Sequence, residues 1–252
     1  MTLTTRDIQA RCAALGFWPG PIDGKMGART RAALDEATLS QKAKGLPFAH
    51  PSGITRLHLH WTAGGYIPNA TDKKAYHGII DGQGGIHRPH PDTARLAHTL
   101  NANGGAIGLS MACMAGAQER PFERGSAPML AVQLHGLARE AARLCRLYDI
   151  PVSQWSTLTH SEVQPVLGIA QRQKWDINWL PGMTAPSDPV TVGNRIRAMI
   201  TAELTGQAPA INTAMPVQAI SHPTRIPAPL GGNRARPGFW ASLWTHITGI
   251  GA

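Results

Sequence analysis

Cysteine is scarce in this chain: three in 252 residues, at Cys12, Cys113 and Cys145. The number is odd and no Cys-x-x-Cys pair occurs, which argues against a disulfide framework and against a cysteine-rich zinc knuckle. Cys145 falls in a predicted helix and Cys113 at a predicted strand end, so buried free thiols are expected. Charged residues are also few, 15% against 42% hydrophobic, a balance that lets most of the chain fold. There is no apolar run of transmembrane length. The start, Met1-Thr-Leu-Thr-Thr-Arg6-Asp7, lacks the basic and apolar regions of a secretory signal. The expectation is a protein made in the cytosol that, if it acts outside, is released by something else. No tandem repeat is found.

Acidic residues are outnumbered. Lysine and arginine total 24 against 15 carboxylates, for a formal charge of +9. Such a balance either points to an anionic partner (nucleic acid, a lipid headgroup or an acidic polymer) or serves solubility alone. No nucleic-acid-binding motif accompanies it, so nucleic acid is set aside.

The chain divides into segments. Residues 1–40 read as a helical hairpin: Ile8, Cys12 and Leu15 have helical spacing, Pro19 to Gly24 is a dense turn signal, and a second helix starts near Ala28. Residues 41–53 form a link with Gly45, Pro47 and Pro51. Residues 54–206 alternate strands and helices. Ile54 to Trp61, Tyr76 to Ile80, Ile86 to Arg88, Ala106 to Cys113 and Ser156 to Thr159 read as strands. Pro128 to Tyr148 reads as an amphipathic helix with Pro128 in its first turn, and Asp188 to Leu204 as another, capped by Ser187 or Asp188. The pattern predicts an α/β domain with a single mixed sheet flanked by helices, preceded by a small helical module.

Residues 207–252 are a proline-rich linker ending in a short amphipathic segment. There Phe239, Trp240, Leu243, Trp244, Ile247 and Ile250 recur at helical spacing, behind Arg225, Arg234 and Arg236. The segment suits either an anionic membrane or envelope lipid, or docking onto the rest of the protein.

Among eleven histidines, two stand at predicted strand ends. His60 precedes Thr62-Ala63-Gly64-Gly65, and His160 sits in Thr157-Leu158-Thr159-His160-Ser161-Glu162. Asp176 follows sixteen residues after His160, in Lys174-Trp175-Asp176. Two imidazoles and one carboxylate are a known catalytic zinc set with a fourth position left open. Spacing alone does not separate such a set from two unrelated histidines.

The wider pattern does. The chain resembles the zinc-dependent N-acetylmuramoyl-L-alanine amidase family shared by phage lysins, wall-recycling amidases and peptidoglycan recognition proteins. Leu59-His60-Trp61-Thr62-Ala63-Gly64 and Thr159-His160-Ser161-Glu162-Val163 are similar to its two histidine ligand motifs. Ala75-Tyr76-His77-Gly78-Ile79-Ile80-Asp81-Gly82-Gln83-Gly84 and Ala106-Ile107-Gly108-Leu109-Ser110 are similar to its second and central strands, and Lys174-Trp175-Asp176 to its last motif. The resemblance covers about residues 54 to 184.

It implies His60, His160 and Asp176 as ligands of Zn2+, with His58 the alternative first ligand on the same strand face. It implies Tyr76 and Lys174 as catalytic residues that stabilise the oxyanion. Many members carry a glutamate base where this chain has Ser110, while phage-type members use a tyrosine and a lysine; Glu162 is the other candidate for handling the proton. His98 resembles a position near the substrate cleft. Thr62 and Asp23 are further candidate substrate contacts; His77, His87 and His90 could line the cleft too, although exposed loop histidines are common. Leu15 to Thr30 resembles the helical peptidoglycan-binding module found beside wall hydrolases.

The activity implied is cleavage of the amide between N-acetylmuramic acid and L-alanine in peptidoglycan, by an endolysin of phage or prophage origin acting on the wall after release. The alternatives are a cytosolic muropeptide-recycling amidase and a non-catalytic peptidoglycan-binding protein.

Overall fold

The structure, a computed structural model, describes residues 3–207. The amphipathic tail read from the sequence lies outside the described residues.

Helix α1 (Thr5–Ala14) opens on a capping box. Thr4 Oγ1 accepts from the Asp7 N–H, and the Asp7 carboxylate accepts from the Thr4 N–H. After a loop comes α2 (Ala28–Ala43). Gln9 holds that loop: its amide donates to Asp23 Oδ1 (2.9 Å) and the Lys25 carbonyl (3.1 Å), and its oxygen accepts from the Gly24 N–H (2.8 Å). Cys12, Ala33 and Ala37 form a small core between the two helices.

This hairpin packs on the sheet domain. Ala10 shares a core cluster with Leu158, Val163 and Leu167. Arg6 donates to the Leu167 carbonyl (2.6 Å), Arg11 to the Asp149 carbonyl (2.8 Å), and Asp7 pairs with Arg56 (2.7 Å).

The sheet is built from β1 (Arg56–Trp61), then, after a short α3 (Ala70–Ala75), β2 (Gly78–Ile80), β3 (Ile86–His87) and β4 (Ala106–Met111). After α4 (Ala131–Leu147) comes β5 (Thr157–Thr159), running directly into α5 (His160–Leu167); α6 (Pro189–Thr205) closes the domain. Strand order is β3-β2-β4-β1-β5, parallel except for β3 against β2. Every residue of β1 and β4 is buried, as expected of parallel strands covered on both faces.

The two faces differ. Leu57, Leu59 and Trp61 join Ile107, Leu109 and Met111 in the main core, against Leu137 and Leu144 of α4 and Val192, Ile196 and Ile200 of α6. His58 and His60 face the other way, level with Gly108 and Ser110. The candidate ligand His60 therefore lies on the polar face of the sheet.

Three local expectations change. Pro128 lies outside α4, which starts at Ala131 with the Gln133 side chain accepting from the Leu130 N–H; the Pro128 carbonyl instead accepts from Tyr66. Tyr76 is not in a strand but ends α3, a helix started by Asn69 Oδ1 accepting from the Thr71 and Asp72 N–H groups. His160, expected to end a strand, begins a helix instead. Glu162 caps it by accepting from the Thr159 N–H (2.9 Å), and Gly168, at φ 65°, ends it.

Candidate active site and metal centre

β1 and β5 are neighbours and parallel, so their C-terminal ends open on the same edge of the sheet. That edge is where α/β sheets place ligands. His60 is the fifth residue of β1, and His160 follows β5 immediately. Asp176 arrives on a loop pinned to α5 by two backbone carbonyls. The Asp176 carbonyl accepts from the Ser161 N–H (2.6 Å) and the Ile177 carbonyl from the Ser161 hydroxyl (3.2 Å). Trp175 packs edge-on against Trp61, with ring centroids 4.6 Å apart.

The three side chains converge. His60 Nδ1 lies 3.0 Å from His160 Nδ1 and 3.1 Å from Asp176 Oδ2, and His160 Nδ1 lies 3.0 Å from the same oxygen. All three residues are buried. Three corners of a tetrahedron with bonds of ~2 Å stand roughly 3.3 Å apart, so this triangle fits a zinc ion.

Electrostatics agrees with that donor set. Burial pushes the Asp176 carboxyl up, but the His160 imidazole and the hydrogen bonds from His160 and His60 outweigh it, and the group sits well below the usual carboxylate range. Burial drives the His60 imidazole down to about 4, with the Asp176 hydrogen bond opposing. His60 is thus neutral, as a metal ligand must be.

The other singled-out residues fall as follows. His58 is directed elsewhere: its Nδ1 meets Thr99 Oγ1 at 3.0 Å, and its Nε2 has no partner among the described residues. The half-buried Tyr76 ring is 5.2 Å from that of His60. Burial, then the Asp176 charge, pushes its phenol far up, so it keeps its proton. Lys174 is half-buried, and its charge reaches His60.

Ser110 Oγ is buried near the Tyr76 phenol but makes no hydrogen bond of ordinary geometry among the described residues. Glu162 is bound to Arg197 (2.8 Å) and is not in the triangle. His98 packs against Gly108, where an added Cβ would come within 2.6 Å of its ring, and its Nε2 is buried.

Thr62 holds the turn after β1 by accepting from the Gly64 N–H (3.1 Å). Asp23 stays in the loop between α1 and α2, bound to Gln9 and the Lys25 N–H. His77, His87 and His90 bind the Ala94 carbonyl, Asp81 and the Lys73 carbonyl respectively. A surface concavity of about 560 Å3 is lined by Arg88, Pro89, His90, Pro91, Asp92 and Arg143 and contains none of the triangle.

A sequence model of N-acetylmuramoyl-L-alanine amidase matches residues 49–182, more than half of the chain. The chain belongs to the N-acetylmuramoyl-L-alanine amidase family. No curated protein sequence matches this amidase.

Among solved structures it is similar to the Ph2119 endolysin from Thermus scotoductus MAT2119 bacteriophage Ph2119, at 16% identity and TM-score 0.38, covering 50% of this chain and 79% of that one. It is similar to the amidase LysC from Clostridium intestinale URNW, at 16% identity and TM-score 0.38 over 57% and 87%. It is also similar to Drosophila peptidoglycan recognition protein SD, at 15% identity and TM-score 0.35 over 55% and 85%.

Two residues of the amidase's site escape the sequence reading. Gln171 accepts at Oε1 from His160 Nε2 (3.0 Å), and Thr99 Oγ1 lies 3.3 Å from His60 Nε2. Neither residue type announces such a role. The only available signal is position, Thr99 beside His98 and Gln171 in the loop between two candidate ligands.

Proposed function

We propose that the protein is a zinc-dependent peptidoglycan amidase that cuts between N-acetylmuramic acid and L-alanine, acting on the wall as an endolysin after release from the cell that makes it. The observation that carries this reading is the triangle of His60 Nδ1, His160 Nδ1 and Asp176 Oδ2, with edges of 3.0 to 3.1 Å. These residues would hold the zinc. When bound, zinc supplies Lewis acidity, polarising a carbonyl and making water acidic enough to attack near neutral pH.

The chain's own residues do the rest. Attack on the amide builds negative charge on the carbonyl oxygen. The Lys174 ammonium, on the loop that delivers Asp176, offers a cation to that oxygen, and the protonated Tyr76 phenol offers a hydrogen bond. One such donor is worth on the order of 3 kcal/mol of transition-state stabilisation. The serine at position 110 is no base near neutral pH; the Lys174 ammonium can hand a proton to the departing stem-peptide amine and recover one from the attacking water, while Tyr76 keeps its own.

The endolysin role is favoured over muropeptide recycling by the first two helices, which resemble a wall-binding module and would retain the enzyme on insoluble polymer. No helix of the described residues is long and apolar enough to cross a membrane.

The test is metal dependence. Chelation should abolish activity, and one equivalent of zinc should restore it. His60→Ala, His160→Ala and Asp176→Ala should each lose the metal. Full turnover in the chelated protein, or stoichiometric zinc in any of the three variants, would overturn the assignment.

A further inference from the structure

Gln171 is buried and polar, and neither of the two motifs flanking it explains it. Its side-chain amide makes three contacts. Nε2 donates to the Leu100 carbonyl (2.8 Å) and to the Ile169 carbonyl (3.2 Å), which uses both amide hydrogens. Oε1 lies 3.0 Å from His160 Nε2. Backbone carbonyls cannot donate. Turning the amide over would set its oxygen against two other oxygens and leave both hydrogens without those partners. The orientation is therefore decided by backbone, and the atom presented to His160 is an acceptor.

We propose that Gln171 is a positioning residue of the metal centre: it holds a proton on His160 Nε2, so that the ring presents its Nδ1 lone pair to the cation. This rests on the zinc reading of the triangle. Imidazole has two nitrogens and, when neutral, one proton; fixing that proton on the outer nitrogen frees the inner one.

The seat of Gln171 is itself fixed. Its N–H donates to Gln164 Oε1 (3.0 Å), and its carbonyl accepts from the Lys174 N–H (3.2 Å). Between them Arg172 and Gln173 take left-handed φ values of 50° and 58°, conformations that non-glycine residues seldom adopt and that this tight loop imposes. The same few residues thus orient one ligand, carry Lys174 and deliver Asp176.

The Leu100 bond extends the support to the second ligand. Leu100 follows Thr99, whose hydroxyl is 3.3 Å from His60 Nε2, and Asn103 Oδ1 fixes Thr99 by accepting from its N–H (2.8 Å). The outer nitrogens of both ligand histidines therefore meet one hydrogen-bonded bracket, Gln171 on one side and on the other the Thr99 hydroxyl, which also meets His98 Nδ1 (2.8 Å) and His58 Nδ1 (3.0 Å). Both partners are neutral, an amide and a hydroxyl rather than carboxylates. Orientation, and not added negative charge, is what they supply. Removing such a partner typically weakens metal binding 10- to 100-fold.

The experiment joins two readouts on the full chain. Nitrogen-15 NMR of labelled histidine assigns the ring protons in metal-free and zinc-loaded protein. Competition with a chromophoric chelator gives zinc affinity for the native protein, Gln171→Leu and His160→Ala. The expected result is a proton on His160 Nε2 in metal-free native protein, Nδ1 coordination in the loaded form, and zinc binding 10- to 100-fold weaker in Gln171→Leu. A metal-free His160 with no proton on Nε2, or a Gln171→Leu protein that binds zinc as tightly as the native one, would overturn the proposal. Should Gln171→Leu fail to fold, the native spectrum decides alone. Native protein that binds zinc no better than His160→Ala would instead sink the zinc reading, while the metal-free spectrum still judges the Nε2 proton.

Discussion

Arg197 on α6 grips Glu162 on α5 at two points, Nη2 to Oε1 at 2.8 Å and Nη1 to Oε2 at 3.1 Å, with both side chains buried. Burial holds the Glu162 carboxyl above its ordinary value, with the Arg197 guanidinium opposing. Glu162 also caps the helix that begins at His160, so the pair fastens α6, which follows the family-matched segment, to a candidate metal ligand. Gly193 leaves the room: a Cβ there would lie 2.2 to 2.4 Å from the Glu162 carboxyl. Arg197→Leu strands a buried carboxylate and should cost about 3–5 kcal/mol. Gly193→Ala should destabilise in the same direction by overpacking. Urea midpoints measure both, and an unchanged midpoint in Arg197→Leu would mean that the pair contributes nothing net.

Tyr76 and Lys174 should separate chemistry from metal binding. Tyr76→Phe and Lys174→Ala are expected to keep stoichiometric zinc while kcat falls roughly a hundredfold each, the effect of losing one oxyanion donor. Ser110→Ala should do little, since Ser110 Oγ makes no ordinary hydrogen bond among the described residues. A Ser110→Ala enzyme as impaired as Lys174→Ala would mean that the proton passes through position 110.

Acid should destabilise the metal-free protein over a defined window. The His60 pKa falls from an ordinary 6.5 to about 4 on burial, so between those values the unfolded chain binds the proton and the folded one does not. Its contribution is full above pH ~6.5 and is lost as pH falls toward about 4, an effect on the order of 3 kcal/mol. His58, His77 and His98 are lowered by burial too and act in the same direction. Asp176, depressed by the two imidazoles, loses its contribution only at still lower pH. Thermal melts of metal-free protein from pH 7.5 to 4 read the slope. A flat profile would place charged histidines in the folded state.

Removing residues 1–40 should do more than weaken binding to insoluble peptidoglycan. It uncovers Leu158, Val163 and Leu167, leaves Arg56 without Asp7, and frees the Leu167 carbonyl at the end of α5. The truncated protein is expected to melt several degrees lower as well as to pull down less with wall sacculi. Full stability with lost pull-down would make the hairpin a separable binding module.

The sequence carried the sheet because its strands are apolar or alternate, and it carried the triangle because ligand types stand in recognisable motifs. Helix α3 was invisible. It has six residues, and its start depends on the Asn69 cap rather than on periodicity. Helix α5 was hidden by Pro165, which reads as a breaker, yet capping by Glu162 and burial of Val163 and Leu167 hold the helix through it. Thr99 and Gln171 could not be read at all. Their roles come from which nitrogen they meet across 39 and 11 residues of chain, a matter of tertiary placement that no local pattern encodes.

The most direct test of the account is mass spectrometry of the products from purified peptidoglycan digested with zinc-loaded protein. The expected products are free stem peptides with a new L-alanine amino terminus and glycan strands bearing intact lactyl groups, absent from the His160→Ala digest. New reducing sugar ends, cleavage within the stem peptide, or an undigested polymer would contradict it.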